Sequence, residues 1–429
     1  MLPSHLLDPT KKKNERLNRT RLGNVPPPLP PSLCVTGAMS RIGRYQVVVG
    51  SKGPKNEDNV NCDEHHDGGN VCVAKNTTID DNNGFPIILS YCVFRPRQLH
   101  DKNKPPLLCL HGGPSIPSNY LLPIVNGVTD RAVIFYDQWG CGKSSRPQPQ
   151  PRAKTNDKDA NNNNKKKLYP PFSIPTMVEH LRQLIEEHWK LKRFHLLGHS
   201  FGGILAYEYL LAMKKQREDI GYHHGACLCS LILSSTPTSA EFFRSESERL
   251  FLNLTDGGNN DIYDIGDVDD DDDDDAGLAD GEEHSCNPSN ERRKQQLHQS
   301  MKYSEEFRQT HECRLPDPPL CLMDALAQMG PMPWRGIQAI DGYEAGGEVD
   351  DSDKVPSLLM RGEYDFCTEH CMKGWKDRLW SPSNGDAEPE EKVLSNCSHY
   401  AMLEDETLYG AEILGFVTSH DTHGRNDVS

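Results

Sequence analysis

Long apolar runs are missing from this sequence. No stretch approaches the ~18 consecutive apolar residues that a membrane-spanning helix needs, which excludes an integral helical membrane protein. The first residues also lack the apolar segment of about 7–15 residues that marks a secretory signal. Aromatic residues make up only 7% and apolar residues 35%, low for a compact protein. Either the core is small or polar insertions dilute an ordinary one. Internal repeats of solenoid length are absent too.

What is abundant is negative charge. The 429 residues carry 63 Asp and Glu against 47 Lys and Arg, a net charge of −16. That balance argues against nucleic acid or an anionic membrane as a general partner. The charge is concentrated. Asp256 to His284 holds 14 acidic residues and no Lys or Arg, with an unbroken run from Asp269 to Asp275. Without this segment the net charge is −2. Such a run repels itself and cannot bury a face, so a disordered acidic loop is expected. It lacks the spaced ligands of a calcium loop.

Three further stretches look inserted. Residues 50–83 mix Asn, Asp, Gly and His, and 152–167 carry runs of Asn and Lys. Residues 1–34 are basic and proline-rich, and read as a disordered extension. Their six basic residues leave an organelle-targeting segment as an alternative to the cytoplasm. The 14 cysteines show no framework pattern and are most simply reduced thiols. Cys367-Thr368-Glu369-His370-Cys371 lacks a second ligand pair, so no metal is expected. No motif calls for a cofactor.

Between the insertions, short apolar runs alternate with helical periodicity. Ile87–Phe94, Leu107–Leu110, Ala132–Tyr136, Arg193–Leu197, Leu228–Leu233, Ser357–Met360 and Lys392–Leu394 read as strands. A helix capped by Ser173 or Thr176 runs toward Trp189. Others follow over Ile204–Met213 and Thr407–Val417. This alternation predicts an α/β fold with a mostly parallel central sheet flanked by helices. The strand pattern stops over residues 241–354, which read as an inserted, mainly helical lid holding the acidic loop. The expected core therefore spans 35–240 and 355–420, with a disordered tail over 421–429.

Gly198-His199-Ser200-Phe201-Gly202, between a strand and a helix, has the form of a nucleophile elbow. Glycines on both sides permit a sharp turn that projects the serine hydroxyl. The N–H of Phe201 then points toward a developing oxyanion. A serine needs a base. His399 follows the last strand, and Asp365 closes the strand before it. The order Ser200, Asp365, His399 suits a nucleophile–acid–base triad, with Asp377 and Asp386 as substitutes for the acid. His199, His223 and His224 are less well placed. After an early strand, His111-Gly112-Gly113-Pro114 offers a second oxyanion donor, Gly113 or alternatively Gly112.

Together these motifs resemble the prolyl aminopeptidase (proline iminopeptidase) family of serine peptidases, in the α/β-hydrolase superfamily. The most specific is Asp137-Gln138-Trp139-Gly140-Cys141-Gly142-Lys143-Ser144. Gly362-Glu363-Tyr364-Asp365 and Cys397-Ser398-His399 resemble the family's acid and histidine segments. The likeness runs from about Val35 to Thr418. It implies an α/β-hydrolase fold and release of an N-terminal residue, often proline, by Ser200, Asp365 and His399. Three positions depart from the family. Ser115 stands where a glycine is usual. Gly330-Pro331-Met332-Pro333-Trp334 replaces a lid segment whose Glu holds the substrate amine. Phe366 stands where some members have a second Glu.

An unpaired buried ammonium is costly, so Glu363, Asp324, Asp341 or Glu344 would have to substitute. The sequence does not choose among them, and the substrate-binding residues stay unassigned. Three activities compete. One is a proline-type aminopeptidase acting on peptides. The second is an esterase or amidase acting on an uncharged acyl substrate. The third is a binding module that kept the fold. Oligomeric state is not readable.

Overall fold

The computed structural model describes residues 40–47, 87–146, 172–220, 226–255, 305–330, 336–347, 355–380 and 388–423. Four expectations lie outside them: the N-terminal extension, the polar stretches 50–83 and 152–167, and the acidic loop. Eight strands form one sheet: β1 (Ser40–Val47), β2 (Ile87–Phe94), β3 (Leu107–Leu110), β4 (Val133–Tyr136), β5 (Arg193–His199), β6 (Cys227–Ser234), β7 (Ser357–Gly362) and β8 (Glu390–Leu394). Their order across the sheet is β1-β2-β4-β3-β5-β6-β7-β8. β1 and β2 pair antiparallel, as do β2 and β4. Every pair from β4 through β8 is parallel.

Parallel strands covered on both faces read as continuous apolar runs. β3 and β4 are buried at every residue. β5 and β6 are buried at all but their first. Helices supply the cover: α1 (Ile124–Gly127), α2 (Ile174–Gln183), α3 (Phe201–Ile220), α4 (Ala240–Thr255), α5 (Glu305–Phe307), α6 (Leu320–Ala327), α7 (Glu369–Met372), α8 (Gly374–Leu379), α9 (Ala401–Glu404) and α10 (Glu406–Ser419). Ser173 caps α2, its hydroxyl accepting from the Thr176 N–H, as the sequence suggested. One core layer packs Leu108, Leu196, Leu231 and Trp375 against α2 and α3. The other packs Cys109, Phe135, Leu197 and Met360 against α1 and α10.

The chain between β6 and β7 adds no strand to the sheet among the described residues. It supplies α4, α5 and α6 instead. Two differences from the sequence reading stand out. β1 was not anticipated, because Arg41, Arg44 and Gln46 break any apolar run. Charged residues of this kind suit a strand at a sheet edge. The expected disordered tail also begins too early at 421. Asp421 is buried and accepts from Arg131 Nη1 at 2.6 Å and Nη2 at 3.2 Å. Arg193 Nη2 donates to the carbonyls of Asp421 and His423, both at 2.6 Å. These bonds fasten the chain end under the sheet.

Candidate active site

Every motif singled out in the core emerges at the carboxyl ends of the strands, where ligands of open α/β sheets bind. His111 follows β3, Asp137 follows β4, Ser200 follows β5, Asp365 follows β7 and His399 follows β8.

Ser200 sits between β5 and α3 with φ +54, a left-handed conformation that a non-glycine residue adopts at a cost of roughly 1–3 kcal/mol. Its N–H donates to Ser234 O at 2.8 Å, and its carbonyl accepts from Gly203 N–H at 2.9 Å. Gly202 is needed because its Cα faces β3. A Cβ there would meet the Leu110 carbonyl carbon at 2.6 Å and His111 O at 2.7 Å. The elbow is thus pressed against the loop after β3.

His399 is buried, and its Nδ1 lies 2.9 Å from Asp365 Oδ1. The carboxylate accepts the Nδ1 proton, which leaves Nε2 as the basic nitrogen. Asp365 Oδ1 also accepts the N–H of Cys367 at 2.8 Å, which fixes the carboxyl in place. The His399 N–H donates to His311 O at 3.2 Å, so the residues after α5 hold the His399 loop. Phe366 stacks on the imidazole, with ring centres 4.1 Å apart and planes at 28°. His199 Nε2 lies 2.9 Å from the carbonyl oxygen of His399, which sets the elbow beside His399. Asp377 is exposed on α8, away from this pairing. Asp386, His223 and His224 lie outside the described residues.

The glycine loop meets the elbow closely. A Cβ on Gly112 would come within 2.9 Å of Ser200 Cβ and 3.0 Å of His199 O. The Gly112 N–H donates to Tyr120 Oη at 2.7 Å, so it is already committed. This corrects the sequence reading, which kept Gly112 as an alternative oxyanion donor. Gly113, at φ +121, and Phe201, at the start of α3, remain for that role.

The structure gives the Asp137–Ser144 motif a physical task. Gln138 N–H donates to His111 Nε2 at 2.9 Å, and its amide Nε2 donates to His111 O at 2.8 Å. Burial pushes the His111 imidazole below its usual range, so it stays neutral and accepts that bond. Asp137 Oδ1 accepts from Ser118 N–H at 3.0 Å and from its hydroxyl at 2.8 Å, while Oδ2 accepts from Lys143 N–H at 3.0 Å. The motif therefore braces the glycine loop from the neighbouring strand.

The chain between β6 and β7 approaches the same place. Gly330 N–H donates to Ser115 O at 3.1 Å, while residues 331–335 lie outside the described set. Phe366 packs edge-on to Phe243 of α4 at 5.2 Å, and Phe307 of α5 lies 6.1 Å away. An aromatic wall thus rises over His399. The four carboxylates weighed from the sequence are all exposed and engaged elsewhere. Asp324 binds the side-chain amides of Asn119 and Gln328. Glu363 accepts from Asn396 N–H. Asp341 and Glu344 face Arg244 and Arg378. One carboxylate was missed. Glu246 of α4 is buried, and its Oε2 accepts from Thr368 Oγ1 at 2.7 Å and Arg249 Nη2 at 2.9 Å. No sequence signal separates it from the other acids of α4.

Comparisons with known proteins bear on the fold and on relatives. Residues 105–217 match the α/β-hydrolase fold family. A proline iminopeptidase of Lactobacillus acidophilus is 28% identical over 329 residues, covering 74% of this chain and 92% of the relative. One from Levilactobacillus brevis is 26% identical over 321 residues, covering 74% and 89%. The crystal structure of a proline iminopeptidase from Mycobacterium smegmatis superposes with a TM-score of 0.52 at 21% identity, covering 78% of this chain and 96% of that one. The chain thus has the α/β-hydrolase fold and is similar to proline iminopeptidases. The fold and these relatives make the chain a hydrolase. No described helix is long and apolar enough to cross a membrane.

Proposed function

We propose that the chain is a serine aminopeptidase that releases an N-terminal residue, preferentially proline, from peptides. The observation that carries the reading is the buried His399–Asp365 pair beside a left-handed Ser200. It occurs in a chain that aligns over 74% of its length with proline iminopeptidases. Ser200 Oγ attacks the carbonyl of the first residue while His399 Nε2 takes its proton. The N–H groups of Gly113 and Phe201 receive the oxyanion. His399 then protonates the leaving amine, and water resolves the acyl-enzyme by the same route. Asp365 holds the imidazole and stabilises its charged form. Peptides or small amides and esters are the expected partners. The ten described cysteines form no disulfide with one another, which favours a reducing cytoplasm.

One observation favours a second reading, an esterase or amidase for an uncharged acyl group. Phe366, with Phe243 and Phe307 behind it, lines the base with apolar surface. The two readings separate on one pair of substrates. The aminopeptidase cleaves a free proline arylamide and leaves its N-acetyl form essentially uncut. Equal cleavage of both overturns the aminopeptidase reading in favour of the second.

A further inference from the structure

Tyr120 and His199 take no part in the chemistry above, yet both are buried beside it. They form the middle of one hydrogen-bond chain that joins three segments of the site. Its polarity is fixed from both ends. The Gly112 N–H can only donate, so Tyr120 Oη accepts it at 2.7 Å. The His399 carbonyl can only accept, so His199 Nε2–H donates to it at 2.9 Å. Burial, with His399 nearby, pushes the His199 imidazole well below its usual range, so the ring is neutral and Nδ1 is bare. The Tyr120 hydroxyl therefore donates to Nδ1, at 2.9 Å. Every proton in the chain has one place.

The packing leaves little freedom to compensate. The Tyr120 and His199 rings meet edge-on at 5.4 Å. His199 and His399 lie 4.7 Å apart, and Tyr400 closes against Tyr120 at 5.2 Å. Gly112, His199 and His399 belong to the oxyanion loop, the elbow and the base loop. A fault anywhere in the chain would therefore shift all three relative to Ser200.

We propose that Tyr120 and His199 are positioning residues whose shared hydrogen bonds hold the oxyanion loop and the base in register with Ser200. The proposal rests on Ser200 being the nucleophile and His399 its base, and is independent of the substrate's first residue. The test uses the full chain with Tyr120→Phe, His199→Leu and His199→Gln. A glutamine amide can accept from Tyr120 and donate to His399, as the imidazole does. Four quantities are measured: the rate at which a fluorophosphonate labels Ser200, kcat and KM on a proline arylamide, and Tm. Displacements on the scale of an ångström cost about 10²-fold in rate. Tyr120→Phe and His199→Leu should therefore lower labelling and kcat by about 10–100-fold, with KM within about twofold. His199→Gln should stay within about fivefold of wild type.

A structural role alone predicts a different pattern, a lower Tm with labelling and kcat intact below it. That pattern overturns the proposal. So does a His199→Gln enzyme as slow as His199→Leu while both are folded. Wild-type protein that the probe does not label at Ser200 removes the nucleophile assignment itself, and this proposal with it.

Discussion

Replacing Asp365 by asparagine separates the two roles proposed for this carboxylate. Asp365 Oδ1 accepts both the His399 Nδ1 proton and the Cys367 N–H, at 2.9 and 2.8 Å. A backbone N–H can only donate. It therefore selects the amide oxygen of an asparagine at the Oδ1 position and turns the amide nitrogen away from His399. The imidazole keeps its orientation and its tautomer, and loses only the facing charge. At ~4 Å and an effective dielectric of ~20, that charge stabilises an imidazolium by ~4 kcal/mol. The equivalent rate effect is about 10³-fold. Asp365→Asn should therefore lower kcat/KM on a proline arylamide by about 10²–10³-fold. Asp365→Ala also frees the imidazole to rotate and change tautomer, and should cost about 10⁴-fold. Fluorophosphonate labelling of Ser200 should fall in the same order. Equal losses in the two variants would refute the role given to the Cys367 N–H. A loss under about tenfold in Asp365→Asn would refute the role given to the charge.

Other consequences follow from the same structure. Gly112→Ala places a Cβ 2.9 Å from Ser200 Cβ and 3.2 Å from Tyr120 Oη. Steady-state kinetics should show kcat down about 10²-fold, and wild-type turnover would contradict the close approach. Asp421→Asn removes the main countercharge of the fully buried Arg131, which keeps Asp130 at 2.9 Å. Breaking a buried pair costs about 3–5 kcal/mol. With Asp130 retained the expected loss is roughly 2–3 kcal/mol, about 5 °C in Tm, and a shift under ~1 °C would count against it. Acid should weaken the fold in two stages. Burial pushes His195 down to about 4. The unfolded chain therefore takes up the proton first, and stability falls as pH drops from ~6.5 toward 4. Burial alone would raise the Asp421 carboxyl, but hydrogen bonds from His195 and Arg131 hold it below its usual range. Its contribution is present above ~4 and is lost as pH falls further. A Tm independent of pH between 7 and 4 would contradict the first stage.

The central strands were legible because burial on both faces leaves apolar runs such as Leu107–Leu110, and nearly so Leu228–Leu233, where only Ser230 is polar. The edge strand Ser40–Val47 was not, since Arg41, Arg44 and Gln46 interrupt any such run. The elbow at Ser200 was readable from glycine spacing between a strand and a helix. Asp365 and His399 were readable because each ends a strand segment in the right chain order, and the structure pairs them at 2.9 Å. The links among these segments were hidden. His199 looked like a bystander next to the nucleophile, and Tyr120 carried no motif. Their roles depend on bonds between residues 79 and 200 positions apart, which no local pattern records. Gly112 was misread for the same reason, because its amide is taken by a side chain eight residues away. Asp421 looked like part of a polar tail because its partners, Arg131 and His195, are more than 200 residues distant.

The most direct test of the central claim is turnover of a free proline arylamide by the wild-type chain and by Ser200→Ala, measured side by side. The account predicts release of the arylamine by wild type and a loss of about 10⁴-fold or more in the variant, with Tm unchanged within a few degrees. Comparable turnover by Ser200→Ala, or none by the folded wild-type protein, would contradict it.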